Sequence, residues 1–141
     1  MHNRVFLTNT DTTIGFISKS QKALDIAKNR ASDKKYIEAL PYFKALRKRT
    51  PKKHRKLIRQ SSKTTFIISQ NYSFRVVKDS RHNLLLKRLK NAYTSSANAS
   101  NQEYDYDYAY KNADIIIYPL KVQSNPSKIY KLGKIKLKRL R

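Results

Sequence analysis

Apolar positions along the chain change their spacing in a way that alternates strands with helices. Arg4 to Leu7 is short and apolar and predicts a first strand. Asn9 to Thr13 follows as a small polar loop, and Ile14 to Ile17 as an apolar turn. Ser20 to Asn29 places Ala23, Leu24, Ile26 and Ala27 at helical spacing, with Ser20 as the N-cap. A basic loop at 31–35 leads to a short strand at Tyr36–Leu40. Pro41–Arg49 reads as a helix with Phe43, Leu46 and Tyr42 inward. Pro51 opens another, with Leu57 and Ile58 on one side. Thr64–Ser69 and Tyr72–Val77 are β-branched and aromatic, so Gln70-Asn71 between them predicts a hairpin. Ser80–Lys90 is a basic helix carrying Leu84, Leu85, Leu86 and Leu89. Tyr93–Ser95 ends a strand before the Ser96–Ser100 loop. Glu103–Tyr110, alternating acid and tyrosine, is a polar loop or an exposed helix. Ala113–Tyr118 reads as a buried strand.

The order predicts one α/β domain, a twisted, mostly open mixed sheet flanked by helices over residues 1–120. Residues 121–141 read as a basic C-terminal tail.

Charge narrows the class of partner. The 32 Lys and Arg against 9 Asp and Glu give a formal net charge of +23. Such a chain attracts polyanions, above all RNA. A lysine-rich proteome is the bland alternative. The segment carrying Arg47, Lys48, Arg49, Lys52, Lys53, Arg55, Lys56 and Arg59 is the strongest candidate RNA-binding face; the ten tyrosines offer stacking surfaces. With no cysteine, thiol catalysis and Cys-ligated metal are excluded, and a cytoplasmic setting is expected. No apolar run reaches the ~18 residues of a membrane span, so no membrane partner is expected. His2, His54 and His82 are scattered and give no metal-site spacing.

Several short elements carry candidate chemistry. Lys28 and Arg30 sit two apart at a helix end. Either both heads converge on one anion, a point charge beside a planar fork, or they are solvated cations at the helix C-terminus. Ser96, Asn98 and Ser100 are short donors in one loop, suited to phosphate oxygens or to a simple turn. Thr10 and Thr12 suit a small polar substrate. Arg75 is either a cavity residue or an exposed edge residue.

In order, Thr10-Asp11-Thr12-Thr13-Ile14-Gly15, Lys28-Asn29-Arg30, Thr64-Thr65-Phe66, Arg75 and Ser96-Ala97-Asn98-Ala99-Ser100 resemble the YrdC-like family of threonylcarbamoyl-adenylate synthases. The resemblance spans about residues 4–118. It implies a nucleotidyltransferase that joins L-threonine, bicarbonate and ATP into threonylcarbamoyl-AMP with release of pyrophosphate, with Mg²⁺ arriving on the substrate. Partner proteins then modify tRNA with the product. It implies that Thr10, Thr12, Thr65 and Arg75 line the substrate cavity. Lys28 and Arg30 hold the phosphates and stabilise the transition state, and Ser96, Asn98 and Ser100 bind the nucleotide. The chain departs from the family pattern at Asn9 and Ala31, where proline is usual. It also departs at Ser61-Ser62-Lys63, in place of Pro-Gly-Pro, and at Asn101, in place of glycine. A catalytically inactive module of the same fold that binds double-stranded RNA or tRNA is the alternative. A ribosome-associated basic protein of another fold is a third reading.

Overall fold

The computed structural model describes residues 3–31, 34–121 and 126–141. Strands β1 (Phe6–Asn9) and β2 (Ile14–Ser18) form an antiparallel hairpin that pairs Leu7 with Phe16 and Phe6 with Ile17. The apolar run expected to be a turn is therefore a strand, buried along its whole length. It has covered neighbours on both faces, so it reads as continuous apolar sequence rather than as alternation. Helix α1 (Gln21–Lys28) starts where Ser20 accepts the Ala23 N–H, and ends at Asn29 in the left-handed region, φ 50°.

Strand β3 (Ile37–Leu40) follows. The helix expected over Pro41–Arg49 is only a 3-10 turn at Phe43–Ala45. Phe43, Ala45 and Leu46 are half-buried there, while Tyr42, expected inward, is exposed. Past a 3-10 turn at Lys52–His54, helix α2 (Arg55–Gln60) buries Ile58. Strands β4 (Thr64–Ser69) and β5 (Tyr72–Val76) pair antiparallel as expected, then helix α3 (Ser80–Leu89) and strand β6 (Ala92–Ser96) follow. The acid–tyrosine segment forms helix α4 (Tyr106–Asn112), capped by Asp105. Strand β7 is only Ile115–Ile116, an edge strand parallel to β1, where Ile115 and Ile117 stay more than a third exposed. The buried strand expected at Ala113–Tyr118 is thus corrected to a short rim.

The expected C-terminal tail is corrected too. Residues Lys128–Leu132 form β8, parallel to β4, and Leu137–Arg139 form β9, antiparallel to β8. The nine strands of the described residues make one mixed, open sheet in the order β7-β1-β2-β6-β3-β5-β4-β8-β9. Leu7 and Phe16 pack against α1 and α4; Phe6 and Ile17 turn the other way, onto α3. Leu40, Phe66, Phe74 and Leu132 close over Ile58 of α2. Ile37 and Thr94 are register partners, and Arg75 is the partner of Ala39, so these cavity residues share the face that holds Ile17.

Candidate functional site

Gly15 shapes the first wall of the site. A Cβ there would stand 2.8 Å from Thr10 Cγ2 and 2.9 Å from the Ser95 carbonyl. Glycine therefore lets the β1–β2 turn close onto β6. Within the turn, Thr10 Oγ1 donates to the Thr13 carbonyl (2.7 Å) and accepts the N–H groups of Thr12 and Thr13. These bonds fix the Thr-Asp-Thr element before any ligand arrives.

Arg75 is the centre of a buried network rather than an edge residue. Its guanidinium donates to Asp11 Oδ1 (3.1 Å), Thr12 Oγ1 (3.0 Å) and Thr65 Oγ1 (3.2 Å from Nη2). Thr65 Oγ1 in turn lies 2.9 Å from Ser127 Oγ. Arg141 donates to the Ser127 carbonyl at 2.7 Å and to its Oγ at 3.2 Å. A string of bonds so runs from the β1–β2 turn across β5 and β4 to β8 and the residues after β9. Asp11 Oδ2 is buried without a partner among the described residues.

Arg30 leaves α1 through the left-handed Asn29, and its own N–H bonds the Asp25 carbonyl (3.1 Å). Its guanidinium carbon sits 4.1 Å from the centre of the Tyr36 ring. Tyr36 is buried and donates its hydroxyl to Asp25 Oδ1 at 2.7 Å. Burial first, then that bond, pushes the Tyr36 phenol well above its ordinary range.

Lys28 does something different. It is 3% exposed, and its ammonium donates to the carbonyls of Ser96 and Asn98, both at 2.9 Å. The Lys28 carbonyl accepts the Ser100 N–H (3.0 Å). Lys28 thus straps the Ser96–Ser100 loop to the end of α1. Burial, with repulsion from Arg30 and Lys34, pushes its ammonium down to about 8. The Asn98 amide nitrogen is spent on the Ala99 and Gln102 carbonyls.

The result is a cavity of about 330 Å³. Thr10, Thr12 and Thr13 line one side; Thr94, Ser95 and Ser96 line another. Arg30, Lys35, Arg75 and Arg141 bring four cations, and no acidic residue lines it among the described residues. Such a lining favours an anion carrying hydroxyl and carbonyl groups. Of the residues expected here, Thr10, Thr12, Arg30, Arg75 and Ser96 line the cavity. Thr65 supports it from behind through Arg75, and Lys28 and Asn98 build the adjoining loop with Ser100. Lys35, Tyr36, Ser127 and Arg141 were missed. The alternation of basic and apolar residues from Lys128 onward was the available signal for the strands that bring Ser127 and Arg141 inward. The basic segment stands apart from this cavity. Arg47, Lys48, Arg49, Lys52, Lys53, Lys56 and Arg59 are exposed, and Arg55 is half-buried. No helix of the described residues is long and apolar enough to cross a membrane.

No protein-family model matches the chain. An uncharacterised protein of Mycoplasma genitalium, MG259, is 34% identical over 138 residues, covering 89% of this chain and 30% of that protein. P. abyssi Sua5, solved in complex with L-threonine, superposes with a TM-score of 0.79 at 16% identity, over 99% of this chain and 50% of that one. E. coli YciO gives 0.79 at 14% identity, over 98% of this chain and 82% of YciO. The MTH1692 protein of Methanobacterium thermoautotrophicum gives 0.73 at 16% identity, over 99% and 80%. The chain spans about half the length of the Sua5 structure and under a third of MG259. These likenesses cover nearly every residue of the chain, and with them it is a protein of the YrdC-like fold, as its motifs imply.

Proposed function

We propose that the chain is a threonylcarbamoyl-adenylate synthase-like protein that binds ATP and L-threonine in the four-cation cavity and serves tRNA modification. The observation that carries this is convergence. Thr10 and Thr12, Arg30 and Arg75 come from three distant stretches, yet line one hollow in the fold of a protein solved with L-threonine.

In the proposed reaction, the threonine amine and bicarbonate give a carbamate with loss of water. A carbamate oxygen forms a bond to the α-phosphorus; the bond to the bridging oxygen breaks, and pyrophosphate leaves with the electron pair. The chain supplies no nucleophile for this. It supplies positioning and fixed positive charge. Arg75, clamped by Asp11, Thr12 and Thr65, stays aimed without reorganisation. Arg30, held on the Tyr36 ring, neutralises charge at the mouth. Thr10 and Thr12 border the space for the amino acid. Among the described residues no three His, Asp or Glu cluster to hold a metal ion, and Asp11 already pairs with Arg75. Mg²⁺ in this proposal arrives on the nucleotide phosphates, and no residue is assigned to it.

The test is pyrophosphate release from ATP in the presence of L-threonine and bicarbonate. Release that needs threonine, and that falls about 100-fold in Arg30→Ala and in Arg75→Met, supports the reading. No release from a folded chain overturns it. The second reading, an RNA-binding module of the same fold, is favoured by the +23 charge and by seven exposed cations in residues 47–59. RNA retention that survives Arg30→Ala and collapses with added salt, without pyrophosphate release, selects that second reading.

A further inference from the structure

A second hollow, of about 240 Å³, lies behind the Thr10–Thr12 turn. Thr10 lines it and the cavity alike, so the two spaces share a wall. The end of β1, the start of α3 and the stretch after β7 enclose it, and neither Lys28 nor Arg30 borders it. Asn9 builds one side. Its Oδ1 accepts the Lys121 N–H at 3.0 Å, which fastens the stretch after β7 to the end of β1. The proline usual at this position in the family has no such acceptor, so this wall belongs to the chain's own departure. Helix α3 supplies the other side. Asp79 caps it by accepting the His82 N–H on Oδ1 at 2.9 Å, and its carbonyl takes the Asn83 N–H. The Ser80 and Arg81 N–H groups stay outside the helical ladder, at the positive end of the macrodipole. His82 is 3% exposed and lines the hollow, yet its Nδ1 is buried with no partner among the described residues. Burial above all, against the pull of Asp11 and Asp79 and with repulsion from Arg75, brings the imidazole down to about 4. The ring is neutral at pH 7 and has one N–H to donate. A polar atom sealed from water is destabilising unless a ligand or an ordered water meets it.

Charge sets the class of occupant. Arg81 and Lys121 bring two cations, and Asp79 one anion whose Oδ1 is already engaged. The balance is one positive charge, which a monoanion neutralises and a phosphate dianion exceeds. Ile117 and Pro119 add an apolar wall. A hollow of this size is below the range of drug-sized sites, so it suits an occupant of a few heavy atoms. We propose that the hollow behind the Thr10–Thr12 turn is a binding site for a small carboxylate. Its oxygens are held by Arg81, Lys121 and the start of α3, and His82 donates to it. Bicarbonate presents the same planar oxygens and is the inorganic form of that chemistry. The site stands whether or not the cavity takes a nucleotide.

The test titrates the chain with sodium acetate and, separately, with sodium bicarbonate at constant ionic strength, followed by NMR of the backbone amides and of the His82 imidazole nitrogens. Arg81→Ala and Lys121→Ala each remove one cation; both residues are exposed and border the hollow but not the cavity. Lys56→Ala on α2 is the charge control. The expected result is saturable shifts at Asn9, Arg81, Lys121 and the His82 ring with one midpoint. That midpoint weakens about tenfold in Arg81→Ala and in Lys121→Ala and stays unchanged in Lys56→Ala. Saturation by acetate alone assigns the site to organic carboxylates, and saturation by both anions assigns it to the planar group they share. Shifts that rise without saturating, or that saturate equally in all three variants, overturn the site. Shifts confined to cavity residues such as Arg30 and Ser96 also overturn it, while leaving the reading of the cavity intact.

Discussion

Asn29 and Asn101 both adopt positive φ, 50° and 64°. Asparagine tolerates that region better than other residues with a Cβ. At Asn101 it stands where the family commonly has glycine, so the loop after Ser100 keeps a glycine-like turn without the residue. Asn29 turns the chain so that Lys28 and Arg30 part company: one straps a loop, the other faces the cavity. The pairing of Lys and Arg was legible in sequence, but their division of labour was not. It depends on which carbonyls lie opposite, and Ser96 and Asn98 are 68 and 70 residues away. Lys28 also makes a pH prediction. Its folded pKa, about 8, lies below the ordinary 10.5, so between those values the unfolded chain binds more protons. Stability referable to Lys28 therefore rises from pH 8 to 10.5. Urea unfolding of Lys28→Met against the unaltered chain checks this: the mutant lacks that increment. Parallel pH curves would contradict it.

At the scale of elements, strong local signals survived into the structure and tertiary ones did not. The β4–β5 hairpin and α1 follow from β-branched runs and a Ser20 cap. Strand β2 was taken for a turn because burial on both faces erases alternation. The Pro41–Arg49 segment looked helical because Tyr42, Phe43 and Leu46 share a helical spacing, yet it forms only a 3-10 turn that leaves Tyr42 exposed. The largest revision is the C-terminal part, where basic residues alternate with apolar ones from Lys128 but the lysine density argued for a solvated tail. Lys131 and Gly133 are exposed while Leu132 between them is buried in the core with Phe66 and Phe74. His54 bonds the Gly133 carbonyl at 3.0 Å, tying this hairpin to the turn before α2. A chain ending at Lys121 leaves the β4 edge unpaired and Thr65 without Ser127. It is expected to lose the cooperative urea transition, or to unfold at a clearly lower midpoint. An unchanged midpoint would show that β8 and β9 are the dispensable tail their composition suggests.

For the molecule as a whole, the sheet order explains why distant motifs meet. Strands β2, β6, β3, β5 and β4 are neighbours in space, so Gly15, Ser96, Ile37, Arg75 and Thr65 come together from across the sequence. The motif order announced this fold before any coordinate. It could not announce that Arg141 completes the cavity, since nothing local marks an arginine among so many as inward. The net charge of +23 acts over a longer range than any of these contacts and falls off within about 10 Å at ordinary salt. It gathers anions; the cavity selects among them. The most direct measurement is a backbone amide NMR map of the chain titrated with ATP and then L-threonine. Shifts centred on Thr10, Thr12, Arg30, Arg75 and Ser96, with threonine moving the Thr10–Thr12 turn further, are the expected result. Shifts confined to residues 47–59, and indifferent to threonine, would contradict the account.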